Sequence, residues 1–141
     1  MKITTIIILA LILILLAVSI LEFSFYKPHK EVNNKPFVSR VIDGDTFELS
    51  TGETIRLICI NTPESYEKKF TESKQFLEQL ILNKEVRLES DKDNKDRYGR
   101  LLRYVYINDT FVNKEMVQQK YANVYRYGND TTKCDEIGSK T

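Results

Sequence analysis

The sequence has no tryptophan, one histidine and two cysteines, with three prolines and five glycines among its 141 residues. Cys59 and Cys134 stand far apart, so there is no CxxC pair to hold a soft metal or run a redox cycle. Cys59 falls in an apolar strand and Cys134 in a polar tail, which disfavours a bridge between them. The histidine, His29, sits in a polar tether, where a solvated side chain is favoured over a metal ligand. Charge of one sign is also lacking, since 21 basic residues face 20 acidic ones. A nucleic-acid partner held by bulk electrostatics alone is thereby disfavoured, and any phosphate must meet locally placed cations.

One long hydrophobic run is present. Residues 3–21, nearly all aliphatic, carry no charge and follow a lone Lys2. Their length approaches the ~20 residues that span a bilayer, while Ala17 and Ser19 have the spacing of a cleavage site. Residues 1–24 are therefore expected to be a signal peptide or a membrane anchor, forming an N-terminal hydrophobic helix. The anchor is slightly preferred on length. Either way the rest of the chain is exported, membrane-bound if the leader stays and secreted if it is cleaved. Residues 25–35 read as a polar linker, 36–127 as the folded domain and 128–141 as a loose polar tail.

Within the domain, residues 36–42, 46–50 and 54–60 alternate as strands, the last two joined by a Thr51-Gly52 turn. Pro63 makes 61–70 a loop. Phe76, Leu77, Leu80 and Ile81 then recur at helical spacing, with Glu72, Lys74, Glu78 and Gln79 on the wet side. Residues 85–90 and 100–107 read as two further strands around a charged loop. Residues 111–122 form a second helix, with Val112, Met116 and Val117 inward, and 123–127 are extended. The fold class is α+β, mainly β. Five short strands with a helix between the third and fourth predict a small oligonucleotide-binding-type barrel with two helices. A monomer is expected.

Chemistry gathers in two places. Asp45 begins one strand of the first hairpin and Asn61 ends the next, so both reach the same end. The Asp45 carboxylate, the Asn61 amide oxygen and the carbonyl at the Thr62-Pro63 bend are hard oxygen donors, a set that suits Ca²⁺ and not Zn²⁺. Glu64 follows and could hold a water. Arg56, mid-strand and opposite Leu57 and Cys59, can meet an anion. The second place is Asp96-Arg97-Tyr98-Gly99-Arg100, where arginine offers phosphate a planar donor fork. Tyr98, Tyr125 and Tyr127 could stack on bases. Each motif alone also reads as an ordinary turn or charged loop.

Together, IDGDT (42–46), RLICINTPE (56–64) and DRYGR (96–100) resemble, in order and spacing, the staphylococcal nuclease family. The resemblance covers about residues 36–127. It implies a Ca²⁺-dependent nuclease acting on DNA or RNA. Asp45, Asn61 and the Thr62 carbonyl would be the calcium ligands, with Asp43 beside them. Glu64 would position or deprotonate water, and Arg56 and Arg100 would bind phosphate and stabilise the transition state. Tyr98 and Tyr127 would contact the nucleotide. Two departures stand out. Asn61 occupies the place of a metal-binding aspartate, and the family's last amphipathic helix, which ends near a tryptophan, has no counterpart in the pattern. They leave a second reading open, a non-catalytic nucleic-acid-binding module with an impaired metal site.

Overall fold

The computed structural model describes residues 35–139, together with Ile3, Ile7, Ile8 and residues 11–14, which are helical. The chain divides into a leader unit, Met1–Asn34, and a second unit, Lys35–Thr141. Among the described residues no helix is long and apolar enough to cross a membrane. The expected leader helix and the polar linker fall largely outside the described residues.

The second unit is α+β with mainly strands. Strand β1 (Val38–Val41) pairs antiparallel with β2 (Thr46–Leu49), which pairs antiparallel with β3 (Thr54–Leu57). A bulge between Val38 and Arg40 turns both Val38 and Val41 inward and leaves Arg40 outside, 2.7 Å from Glu48 across the ladder. The turn after β2 needs Gly52, whose φ is +93°. Phe47, Ile55 and Leu57 on the inner face are buried.

Residues 54–60 do not form one strand. Cys59 has φ +63°, and the chain restarts as β4 (Ile60–Asn61), which leaves the main sheet to pair with β8 (Asn123–Val124). After α1 (Phe70–Ile81) and β5 (Arg87–Glu89) comes β6 (Leu101–Ile107), which runs parallel to β3. Parallel neighbours need a crossover, and α1 lies within it. Strand β7 (Thr110–Phe111) turns back onto β6 and leads into α2 (Val112–Gln118).

The sheet path is β1-β2-β3-β6-β5, and it does not close into the expected barrel. Between its ends stands one isolated bridge, Phe37 to Glu85, because the chain before β5 meets β1 as a turn: Asn83 N–H donates to the Val38 carbonyl. β5, at three residues, is too short to extend that pairing.

The helices cover the core as their periodicity predicts. Leu77 and Ile81 of α1 are fully buried, as are Val112 and Met116 of α2. Phe76 stacks on Tyr121 at 4.4 Å. Asn113 is also fully buried: its Oδ1 accepts from Val105 N–H at 2.9 Å, and its Nδ2 donates to the Ile58 carbonyl at 2.8 Å. That amide ties α2 to β6 and to the turn after β3.

The C-terminal segment is not a loose tail. It folds back as α3 (Cys134–Gly138), burying Cys134 and Ile137, and a Cys59–Cys134 disulfide fastens it. The disfavoured bridge exists because the turn at Cys59 and the return of α3 bring the two Cα atoms to 5.1 Å. Its sequence separation is 75, so in the chain-entropy account it stabilises the fold by about 4.5 kcal/mol.

Gly44, between β1 and β2, is required by close approach. A Cβ there would lie 2.0 Å from Ser73 Oγ on α1 and 2.9 Å from Thr62 Cβ. Ser73 cannot yield freely, since its hydroxyl donates to the Tyr121 carbonyl at 2.9 Å. Gly44→Ala should therefore destabilise the protein by roughly 1–3 kcal/mol, the usual cost of overpacking. Urea denaturation measures this, and an unchanged midpoint would contradict the packing described.

Candidate active site

The Asp43-Gly44-Asp45 turn folds on itself: Asp45 N–H donates to Asp43 Oδ1 at 3.0 Å. This directs the Asp45 side chain inward, where the residue is 5% exposed. Its Oδ2 accepts from Thr62 N–H at 3.0 Å and from the Thr62 hydroxyl at 2.9 Å, and its Oδ1 from the Thr46 hydroxyl at 3.1 Å. Arg56 Nη2 stands 3.1 Å from the same Oδ2. Burial pushes the Asp45 carboxyl up to about 6; the Arg56 guanidinium and the Thr62 hydrogen bonds oppose this, and Asp43 adds to it.

Arg56 is largely enclosed. Besides Asp45 it donates to the Leu57 carbonyl, to the Ile60 carbonyl at 3.1 Å and to Asn61 Oδ1 at 3.2 Å. One guanidinium thus gathers Asp45 and Asn61, the two side chains expected to share a cation.

The loop before β6 presents the second arginine. Asp96 Oδ1 accepts from the backbone N–H groups of Tyr98 and Arg100, and Gly99 takes φ +83° to complete the turn. Asp96 Oδ2 then accepts from Arg100 Nε at 2.6 Å. Burial works to raise the Asp96 carboxyl, but the hydrogen bonds from Arg100 and Tyr98 outweigh it and hold it below the usual range. The ring of Tyr98 lies against both Arg97 and Arg100.

Arg56 and Arg100 line one cavity of ≈ 380 Å³ with Tyr98, Tyr125 and Tyr127 at its wall. Tyr98 and Tyr127 are each 67% exposed, and Tyr125 and Tyr127 stack with centroids 6.2 Å apart. The lining offers basic groups for an anion, with Lys95 and Arg97 beside the two arginines, and aromatic faces for a ring, while Asp93, Asp96 and Asp130 also line it. Of the expected site residues, Arg56, Arg100, Tyr98 and Tyr127 line it. Asp45 and Asn61 contact Arg56 outside the cavity lining, and Thr62 and Asp43 are hydrogen-bonded to Asp45. Glu64 lies apart on the exposed loop after β4, its N–H donating to Glu67 Oε2 at 2.6 Å.

The donors around Arg56 fit a hard divalent cation in kind. Asp45, Asp43 and Asn61 offer oxygen only, and a second cation would relieve the buried Asp45 carboxyl. The arrangement is weak in charge, however. Among the described residues no group of three or more His, Cys, Asp or Glu side chains converges as a metal site.

Sequence reasoning passed over Asp96 as the partner of Arg100, although its place at the head of an Asx turn was legible. Tyr125, named with the other tyrosines as able to stack on a base but not among the residues the resemblance implied, forms the wall together with Tyr127.

A family model described as "Staphylococcal nuclease homologue" matches residues 54–140. The thermonuclease of Staphylococcus intermedius is 32% identical over 139 residues, covering 89% of this chain and 83% of that protein. The thermonuclease of Staphylococcus hyicus is 33% identical over 144 residues, with the same coverage. Endonuclease YncB of Bacillus subtilis is 31% identical over 125 residues, covering 78% of this chain and 59% of that protein.

The position of Asp45 predicts an unusual pH dependence of stability in the presence of a chelator. Its folded value of about 6 lies above the unfolded one, ~3.9, so between them the native state keeps a proton that the unfolded state has released. Stability from this group is therefore lost as pH rises from about 4 to about 6, by on the order of 2–3 kcal/mol. Asp96 acts with the opposite sign at lower pH and is common to wild type and variant. Urea denaturation of Asp45→Asn should lack the loss across that window; identical pH profiles for the two proteins would contradict the burial argument.

Proposed function

We propose how this chain works from one premise: it belongs to the staphylococcal nuclease family. It is a nuclease, and its substrate is nucleic acid. The finer reading is a calcium-dependent phosphodiesterase that hydrolyses DNA or RNA outside the cytoplasm. The observation that carries it is the pairing of Arg56 and Arg100 on one cavity, each held by its own aspartate, beside exposed tyrosines.

A phosphodiester entering the cavity would meet Arg100, held through Nε by Asp96 with its terminal nitrogens left to donate. It would draw on Arg56 as that guanidinium exchanges inward hydrogen bonds for the phosphate while charge builds on the phosphorus-bound oxygens. Tyr98 and Tyr127, with Tyr125, would hold the adjoining nucleotide. Asp45, Asn61 and the Thr62 carbonyl would hold the calcium ion, with Asp43 beside them. Bound there, calcium would withdraw charge from the phosphate. Glu64 is the remaining carboxylate of the motif, and its role would be to orient or deprotonate the attacking water as its loop approaches the substrate.

The leader and the disulfide both support a location outside the cytoplasm, since disulfides persist in oxidising compartments. A second reading, a binding module without turnover, is favoured by Asn61, which brings an amide dipole where a carboxylate would add charge.

Arg100→Ala is the cleaner test of the arginine roles, because Asp96 keeps the backbone N–H donors of Tyr98 and residue 100, whereas Arg56→Ala strands a more deeply buried carboxylate. Both should lower kcat by ~10³-fold or more, the value of an arginine serving a phosphoryl transition state. Arg100→Ala should do so with an unchanged circular-dichroism spectrum. Turnover within about tenfold of wild type in both variants would remove the arginines from the chemistry.

A further inference from the structure

We propose that the Cys59–Cys134 disulfide is a redox latch on substrate affinity: oxidised, it holds the cavity wall of residues 125–130 in place, and reduced, it lets that wall swing away. The inference rests on the nuclease reading of the cavity.

The wall is suspended between two attachments. On its N-terminal side, β8 pairs with β4 over only two residues, and Tyr125 N–H donates to the Cys59 carbonyl at 2.9 Å. Tyr125, Tyr127, Gly128 and Asp130 then line the cavity. On the far side the chain enters α3, only five residues long and too short to be stable alone. Its apolar anchorage is slight, since among the described residues beyond Ala122 Ile137 is the one buried aliphatic side chain.

The remaining bonds are polar, and the one that reaches the core runs from Lys133 N–H to the hydroxyl of buried Tyr104 at 3.0 Å, with Lys133 Nζ donating to the Tyr106 hydroxyl at 2.7 Å. Asp130 Oδ1 accepts from Asp93 N–H at 2.8 Å, and Thr132 donates twice to Asp91. Lys133 reaches Glu89 at 2.7 Å. A segment held in this manner belongs to the part of a fold that opens first. The disulfide changes that, because Cys59 sits on the turn that lines the cavity and Cys134 opens α3. The core residues Val38, Phe47, Ile55 and Val105 lie on other elements, so opening of the wall leaves them packed.

The chemistry balances with a dithiol as reductant. Its thiolate attacks one cystine sulfur, the S–S bond breaks, and a mixed disulfide forms. The reagent's second thiol closes on the first, so the dithiol leaves as a cyclic disulfide and Cys59 and Cys134 remain as thiols, two electrons and two protons having been transferred. Both residues are buried, at 4% and 0% exposure, so attack waits on local opening and is slow. A nuclease of this design binds substrate weakly wherever its thiols are kept reduced.

The test uses the full chain in detergent with calcium, either oxidised or reduced by dithiothreitol and verified by thiol titration. Initial rates on a single-stranded DNA oligonucleotide are read beside amide hydrogen exchange. Reduction should raise KM by about tenfold or more while kcat stays within about threefold. Exchange should quicken in residues 125–138 and not in β1–β3. Cys59→Ala/Cys134→Ala should match the reduced protein and ignore dithiothreitol. An unchanged KM on reduction, or exchange rising equally through β1–β3, overturns the latch. If the oxidised protein cleaves nothing, the nuclease reading fails separately, and oligonucleotide binding by anisotropy decides the latch. Weakening on reduction by about tenfold supports it, and equal affinity in both states overturns it.

Discussion

Asp45 carries a carboxylate at 5% exposure, a placement that folding tolerates only when the oxygen lone pairs are taken and a counter-charge is at hand. Arg56 supplies the charge at 3.1 Å, and Thr46 and Thr62 supply the donors. Each partner brings in a different segment. Thr62 fixes the loop after β4, and Arg56 fixes β3. The other donors of Arg56 clamp the Leu57 and Ile60 carbonyls and so shape the turn between them. That turn sends β4 away from the main sheet toward β8, which hangs the tyrosine wall beside the arginines. The cavity follows from how one buried charge is satisfied.

The same constraint accounts for the tight packing around the turn. With Asp45 drawn in toward Thr62, the backbone at Gly44 presses on both Thr62 and Ser73, and α1 has to approach closely. Asn113 performs a comparable service on the other side, joining α2, β6 and the Ile58 carbonyl through a single buried amide. Two polar side chains, neither of them in the cavity, thereby set the positions of the elements that line it.

Much of this was legible in the sequence. Alternation located β1, β2 and β6, and helical spacing located α1 and α2 with Leu77, Ile81, Val112 and Met116 inward. The clustering of charge in IDGDT and DRYGR marked both arginines. What escaped depended on tertiary contacts. TIRLICI alternates through residue 60, yet the Arg56 clamp and the positive φ of Cys59 break it. The C-terminal segment has too few apolar residues to show a period, and a disulfide with polar bonds supplies the order that burial does not. Barrel closure was expected from strand count, but strand count cannot reveal that the chain before β5 arrives as a turn. Tyr125 and Tyr127 stand two residues apart, and the β4–β8 pairing that leads into them decides that both reach the cavity.

The central claim is that the Asp45, Arg56 and Arg100 constellation supports calcium-dependent cleavage of phosphodiesters. The most direct measurement incubates the full chain in detergent with a single-stranded DNA oligonucleotide, first with calcium, then with excess chelator, then with calcium restored. The account predicts fragments that accumulate with calcium, cease on chelation and resume on restoration. An oligonucleotide that binds in the presence of calcium but remains intact would contradict it.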